Sequence, residues 1–212
     1  MMRRRAVLGA PLLAAALAAC GRKAKKPAAL PAGTPVLALG DSITYGTGAT
    51  PEASYPAVLA GLTGWKVVNA GVPGDTSAGA LARLPALLQE HAPRLVLVSI
   101  GGNDFLRRLS PDETRANIRS ICEQAVTAGA QVVLVAVPEA NAIAAVARSL
   151  ADHAMYAALA AEMKLPLYAG GWAAVLNDPA LRSDPIHANA QGYERFARGL
   201  ADYLRELGLV AA

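Results

Sequence analysis

Cysteine and aromatic residues are both scarce in this chain. Its 212 residues include two cysteines, Cys20 and Cys122, and no disulfide framework can be built from them. That excludes a small stapled secreted domain. Aromatic residues make up 5%, thin for a platform that stacks single-stranded nucleic acid. Charged residues are also few, 17% against 54% hydrophobic, a balance that excludes disorder. Nineteen glycines and fourteen prolines are too few for a collagen-like or low-complexity chain. The length suits one domain with tails and is ample for a core.

Acidic residues are missing before residue 34, where seven of the 20 basic residues lie: Arg3, Arg4, Arg5, Arg22, Lys23, Lys25 and Lys26. The net charge of +4 invites a nucleic-acid reading, but this distribution removes it. Thirteen basic residues face sixteen acidic ones in the rest of the chain, which is mildly acidic. No nucleic-acid partner is expected.

Arg3-Arg4-Arg5 followed by Ala6 to Leu17 reads as the charged and apolar regions of a signal peptide over residues 1–19. The apolar stretch is too short to span a bilayer and carries Pro11 near its middle. Its end, Leu17-Ala18-Ala19-Cys20, resembles the lipobox of bacterial lipoproteins. That resemblance implies cleavage before Cys20 and lipidation of Cys20. Several acyl chains would anchor the protein firmly, on the bacterial cell envelope and facing the periplasm or the exterior. An ordinary secretory signal with an incidental cysteine is the plainer alternative. Residues 20–34 then form a tether rich in Lys, Ala and Pro, able to reach roughly 45 Å from the lipid at about 3.3 Å per residue. Its lysines either attract anionic headgroups or keep the tether solvated.

From Thr34 onward strands and helices alternate. Val36–Leu39, Lys66–Asn69, Leu95–Ile100 and Val132–Val137 are short apolar runs without strict alternation, the pattern of strands covered on both faces. Leu165–Tyr168 is a weaker fifth. Helices are expected over Glu52–Leu62, Ala78–His91, Pro111–Thr127, Asn141–Glu162 and Ala190–Leu207. Gly129 and Gly208 read as helix stops, and Ser110-Pro111-Asp112-Glu113 as a helix start. Repeated βα units imply an α/β/α domain over residues 35–210 with a mostly parallel five-stranded sheet.

In such a sheet the working crevice lies at the carboxyl ends of the strands. The segments that follow the strands, and one late segment, are Gly40-Asp41-Ser42, Gly71-Val72-Pro73-Gly74-Asp75-Thr76, Gly101-Gly102-Asn103-Asp104 and Asp184-Pro185-Ile186-His187. Together they hold what acyl transfer needs: a hydroxyl nucleophile, a base, an orienting carboxylate and oxyanion donors. These blocks, in this order, resemble the SGNH (GDSL) hydrolases. Asn69 to Asp104 also resembles the bacterial thioesterase I, lysophospholipase and arylesterase branch, notably at Gly74-Asp75-Thr76-Ser77 and Leu81–Leu88. One block alone is weak evidence, whereas four in order are strong.

The resemblance implies a flavodoxin-like fold, a serine-histidine-aspartate triad, and neither metal nor cofactor. Ser42 would be the nucleophile, His187 its base and Asp184 the carboxylate that orients the imidazole. The Ser42 and Gly74 backbone N–H groups and the Asn103 amide would hold the oxyanion. The expected activity is that of a serine esterase acting through an acyl-enzyme on small acyl or aryl esters, with thioesters and lysophospholipids as further candidates. Alternatives are an O-deacetylase of an envelope glycan and a non-catalytic, flavodoxin-like binding lipoprotein. Two departures stand out. Ala188-Asn189 occupies a place where many relatives have proline then asparagine, and the second glycine of Gly-x-Ser-x-Gly is absent, which argues against an α/β-hydrolase.

Each residue also has a plainer role. Ser42 alone reads as a helix cap, Asn103 and Asp184 as turn residues. Thr76 repeats the Gly-Asp-hydroxyl pattern, but Asp75, Thr76 or Ser77 is needed to cap the following helix. His91 suits a helix C-terminus, and His153 and Cys122 read as structural. Trp65 and Trp172 read as packing residues, with Gly170-Gly171-Trp172 able to edge a pocket.

Overall fold

The computed structural model describes residues 29–139 and 149–210. The leader, Cys20 and most of the tether lie outside the described residues, as does the segment 140–148.

Five strands, β1 (Pro35–Gly40), β2 (Lys66–Gly71), β3 (Leu95–Ser99), β4 (Gln131–Val135) and β5 (Leu167–Tyr168), pair in parallel in the order β2-β1-β3-β4-β5. The central strands β1, β3 and β4 are buried almost throughout, as their unbroken apolar runs require. Edge strand β2 is partly exposed. The helices are α1 (Ser42–Tyr45), α2 (Tyr55–Thr63), α3 (Ser77–His91), α4 (Gly102–Leu106), α5 (Pro111–Thr127), α6 (Met155–Met163), α7 (Gly171–Leu176) and α8 (Ala190–Glu206). Helix α2 packs against α8, and α3 packs against α5. The fold is the expected three-layer α/β/α architecture around a five-stranded parallel sheet.

Local chemistry sets the boundaries. Thr76, Ser110 and Asn189 accept N–H bonds from the first turns of α3, α5 and α8. Gly129 and Gly208, both at positive φ, follow the ends of α5 and α8. Between the sheet and α8 sits an aromatic cluster. The Trp172 and Phe196 rings stack at 3.6 Å between centroids, and Tyr55 and Tyr193 meet Trp172 edge-on. The Trp172 indole N–H donates to Ser99 Oγ, and that of Trp65 to the Leu30 carbonyl. Both tryptophans are therefore packing residues. Burial pushes the Cys122 thiol up to about 12, consistent with an inert core residue.

Several elements differ from expectation: α2 begins at Tyr55 and not at Glu52, and the short α4 was not among the expected helices. The expected helix over Asn141–Glu162 is helical, among the described residues, only from Met155, and α6 ends at Met163. The described residues just before it spend backbone groups elsewhere. Leu150 exchanges two hydrogen bonds with the Asn177 side chain, and the His153 N–H donates to the Val137 carbonyl. The six-residue α7 went unanticipated because it opens on two glycines and is too short to show a period.

Candidate active site

Strand β1 ends at Gly40, and Asp41 turns the chain by accepting the Ile43 N–H on Oδ1 at 3.1 Å. Ser42 follows as the first residue of α1, where no intrahelical carbonyl is available to its own N–H. The Ser42 side chain therefore stands at the carboxyl edge of the sheet, beside its own N–H, which has no hydrogen-bond partner among the described residues.

His187 comes from the other end of the chain, 145 residues away, on the loop that enters α8. That loop folds tightly around Asp184. Its Oδ1 accepts the Ile186 and His187 N–H groups at 2.9 Å, and Oδ2 lies 2.7 Å from His187 Nδ1. His187 Nε2 is 3.0 Å from Ser42 Oγ. An ionised carboxylate can only accept, so the short Asp184 contact places the ring proton on Nδ1. Nε2 is then an acceptor, and the Ser42 hydroxyl donates to it. Burial pushes the Asp184 carboxyl up. The bonds from the His187 ring and from the Ile186 and His187 N–H groups, with the imidazole charge, outweigh that and hold it below its ordinary value.

The loop after α1 meets the His187 loop face to face. Tyr193, on α8, donates to the Thr47 carbonyl at 2.7 Å. Gly48 has φ +96, and a Cβ there would run into Ser183 Oγ and the Ala188 carbonyl. Glycine is required at that crossing. Ala188 is fully buried and bridges Arg182, while Asn189 caps α8 and donates to the Ala180 carbonyl at 2.8 Å. Those contacts secure the loop without a proline.

The remaining groups come from the loops after β2 and β3. Val72 to Asp75 form a turn closed by Asp75 N–H to the Val72 carbonyl, with Pro73 and then Gly74 at φ +78. This is the type II pattern, which needs positive φ at Gly74. It leaves the Gly74 N–H without a hydrogen-bond partner among the described residues. Asn103, second residue of α4, donates through Nδ2 to the Asp75 carbonyl at 2.9 Å and more loosely to Asp41 Oδ2 at 3.3 Å. Ser42, Gly74, Asn103 and His187 all line one cavity of about 220 Å³. Its other walls are mostly apolar: Ile43, Leu106, Val137, Leu150, Leu176 and Ile186.

A supporting ring of charged groups was not singled out by sequence reasoning. Arg83 donates to Asp75 Oδ2 at 2.8 Å and to the Gly40 carbonyl at 2.9 Å, tying the β1 and β2 loops together. Buried Asp104 accepts from the Ser77 N–H, Ser77 Oγ and Thr114 Oγ1. Arg107 donates to the Gly74 carbonyl at 2.7 Å. Burial pushes the Asp41 carboxyl up to about 7, against the bond from Ile43 and with the nearby Asp75 and Asp104 carboxylates adding to the rise. The adjacency of Asp41 to Ser42 and of Asp104 to Asn103 was the available signal.

The rival residues lie in structural roles. Thr76 Oγ1 accepts the Gly79 N–H as the cap of α3. His153 stacks on Phe105 with centroids 4.4 Å apart and accepts the Met155 N–H on Nδ1. His91 lies in the last turn of α3. Trp172 is buried, and α7 contributes Leu176 to the cavity instead.

Comparison with known proteins points the same way. Residues 38–195 match the GDSL-like lipase/acylhydrolase family. The chain is 37% identical over 175 residues to the thioesterase 1/protease 1/lysophospholipase L1 of Escherichia coli K12, covering 81% of this chain and 84% of that one. It is 37% identical over 112 residues to an arylesterase of Vibrio mimicus, covering 50% of this chain and 56% of that one. Among solved structures, a crystal structure of TesA superposes with a TM-score of 0.71 at 31% identity, covering 81% of this chain and 98% of that chain.

Proposed function

We propose, from the premise that this chain belongs to the GDSL-like lipase/acylhydrolase family, that it hydrolyses carboxylic acyl esters and thioesters through an acyl-enzyme on Ser42. The observation that carries the reading is the hydrogen-bonded run Ser42 Oγ, His187 Nε2, His187 Nδ1, Asp184 Oδ2, at 3.0 and 2.7 Å, opening on an apolar cavity.

In this mechanism Ser42 Oγ attacks the ester carbonyl carbon while its proton passes to His187 Nε2. The imidazolium is stabilised by Asp184, which also fixes the tautomer. Negative charge on the carbonyl oxygen is met by the Ser42 and Gly74 N–H groups and by the Asn103 amide. The Asp75 carbonyl anchors one N–H of that amide, and the second, held only loosely at 3.3 Å by Asp41, turns to the oxyanion. Collapse expels the alcohol or thiol, which takes the proton from His187. Water, activated in turn by His187, attacks the acyl carbon and frees Ser42. The leucines, valine and isoleucines of the cavity favour an acyl chain over a polar glycan.

The N-terminal segment completes the reading: a signal peptide over 1–19, lipidated Cys20, and a tether to residue 34 that holds a hydrolase domain over 35–210 at the cell envelope. A chain-length series of chromogenic esters and acyl thioesters, run beside an acetylated glycan, tests the substrate class. Turnover of acyl esters that rises beyond acetate is expected. Activity confined to the acetylated glycan would replace this reading with that of an O-deacetylase.

A further inference from the structure

Exposed large apolar side chains are few among the described residues, and they are not scattered. Tyr45, Val72, Leu106 and Leu109 are 42–53% exposed, and all four sit on the segments that follow β1, β2 and β3. That is the edge where Ser42 stands. A fifth, Val126, lies near the far end of α5, about 22 Å along the helix from Pro111.

Contacts along this edge link the segments that carry them. The backbone of Tyr45 lies directly against Gly71, the residue before Val72. Val72 opens the turn that contains Gly74, and Arg107 reaches the Gly74 carbonyl. Leu106 precedes that arginine and lines the cavity. Arg107 and Arg108 are both exposed and stand between the two leucines. The segment is a fixed turn: the Arg108 N–H donates to the Phe105 carbonyl, and the Leu109 N–H to that of Asp104. Four carboxylates of this edge are already occupied. Asp41 and Asp104 are buried, Asp75 is paired with Arg83, and Asp184 with His187. Asp112 and Glu113 belong to the first turn of α5, where the helix dipole favours them.

We propose that this rim docks the hydrolase face-down on a phospholipid bilayer, with Leu106, Leu109, Val72 and Tyr45 entering the interface and Arg107 and Arg108 meeting lipid phosphates. Leucine and tyrosine side chains bury apolar surface at the headgroup boundary. Guanidinium groups pair with phosphate oxygens in two-pronged fashion while their stems lie along apolar neighbours. A clustered apolar patch with interleaved arginines matches that layered chemistry better than it matches water. Docked in this way, the cavity mouth faces the lipid, and an acyl ester enters it without crossing bulk water. The inference concerns the orientation of the domain and is separate from any anchor at Cys20.

Tryptophan introduced at Leu109→Trp, and separately at Val126→Trp, reports depth in the full chain. Native Trp65 and Trp172 are buried and supply a constant background. Vesicles of phosphatidylcholine and phosphatidylglycerol carrying brominated acyl chains should quench the residue 109 fluorophore and leave the residue 126 fluorophore unquenched. An N-terminal anchor alone would quench neither. Equal quenching at the two positions, or none at residue 109, overturns the proposal. In parallel, the pair Arg108→Asn and Leu109→Gln should hydrolyse a vesicle-embedded ester at least about tenfold more slowly while keeping the wild-type rate on a soluble short-chain ester. Asparagine suits the positive φ of residue 108, so the soluble rate also reports an intact fold. Unchanged vesicle activity contradicts the docking rim.

Discussion

In the proposed mechanism Asn103 meets charge that exists mainly in the tetrahedral transition state, so its loss should fall on kcat rather than KM. Asn103→Ala is expected to lower kcat by about 10²–10³, the usual cost of one oxyanion donor. The lost bond to the Asp75 carbonyl should cost only about 1 kcal/mol of stability, so kcat and melting temperature measured on one preparation separate the two roles. Asp41 gives a second prediction at this scale. Its carboxyl is raised in the folded protein from 3.8 to about 7, so between those pH values the unfolded chain has ionised where the folded one keeps its proton. That group therefore contributes a loss of stability as pH rises from about 4 to about 7. Asp184, held below its ordinary value, acts in the opposite sense, and its contribution is lost as acid protonates it. Denaturant melts of Asp41→Asn should lack the Asp41 slope. Activity should fall as well, because an asparagine cannot accept from both Ile43 and Asn103. A mutant slope identical to wild type would refute this assignment.

Between elements, the critical contact joins the loop after α1 to the entrance of α8, since it brings Ser42 to His187. Tyr193→Phe removes the hydrogen bond to the Thr47 carbonyl. It should cost about 1 kcal/mol and lower kcat through a looser Ser42–His187 contact. Gly48→Ala forces a Cβ into backbone and should damage both stability and rate much more. Melting temperature and kcat for the pair rank these effects, and a fully active Gly48→Ala protein would show the crossing to be slack. The same scale explains what was legible in the chain. Strands β1, β3 and β4 announce themselves because burial on both faces leaves unbroken apolar runs. Helices α3 and α5 do so through cap residues at their starts, and α8 through the Gly208 stop. Ser42, Asn103 and His187 were visible because each follows a strand end or a turn signal. Arg83, Arg107 and the buried acceptor Asp104 were not, since their work lies in bonds to carbonyls and side chains 8 to 43 residues away. Nor was the segment from Leu150 to His153, whose backbone is satisfied by Asn177 and Val137 instead of by its own helix.

For the whole molecule, an apolar, partly enclosed cavity beside Ser42 and a lipid-facing rim fit a hydrolase that works where acyl esters are concentrated. Cys20 lies upstream of the described residues, and the anchor proposed there is read from the mature N-terminus by mass spectrometry. An acylated terminus at Cys20 is expected, and an unmodified terminus elsewhere would remove the anchor. The central claim is that Ser42 carries the acyl group. Its most direct test is mass spectrometry of the intact chain quenched during turnover of a slow acyl ester, followed by peptide mapping. One acyl adduct on the peptide containing Ser42, absent from Ser42→Ala protein of unchanged melting temperature, is the predicted result. Turnover that persists in Ser42→Ala, or an adduct mapped to Thr76, would contradict the account.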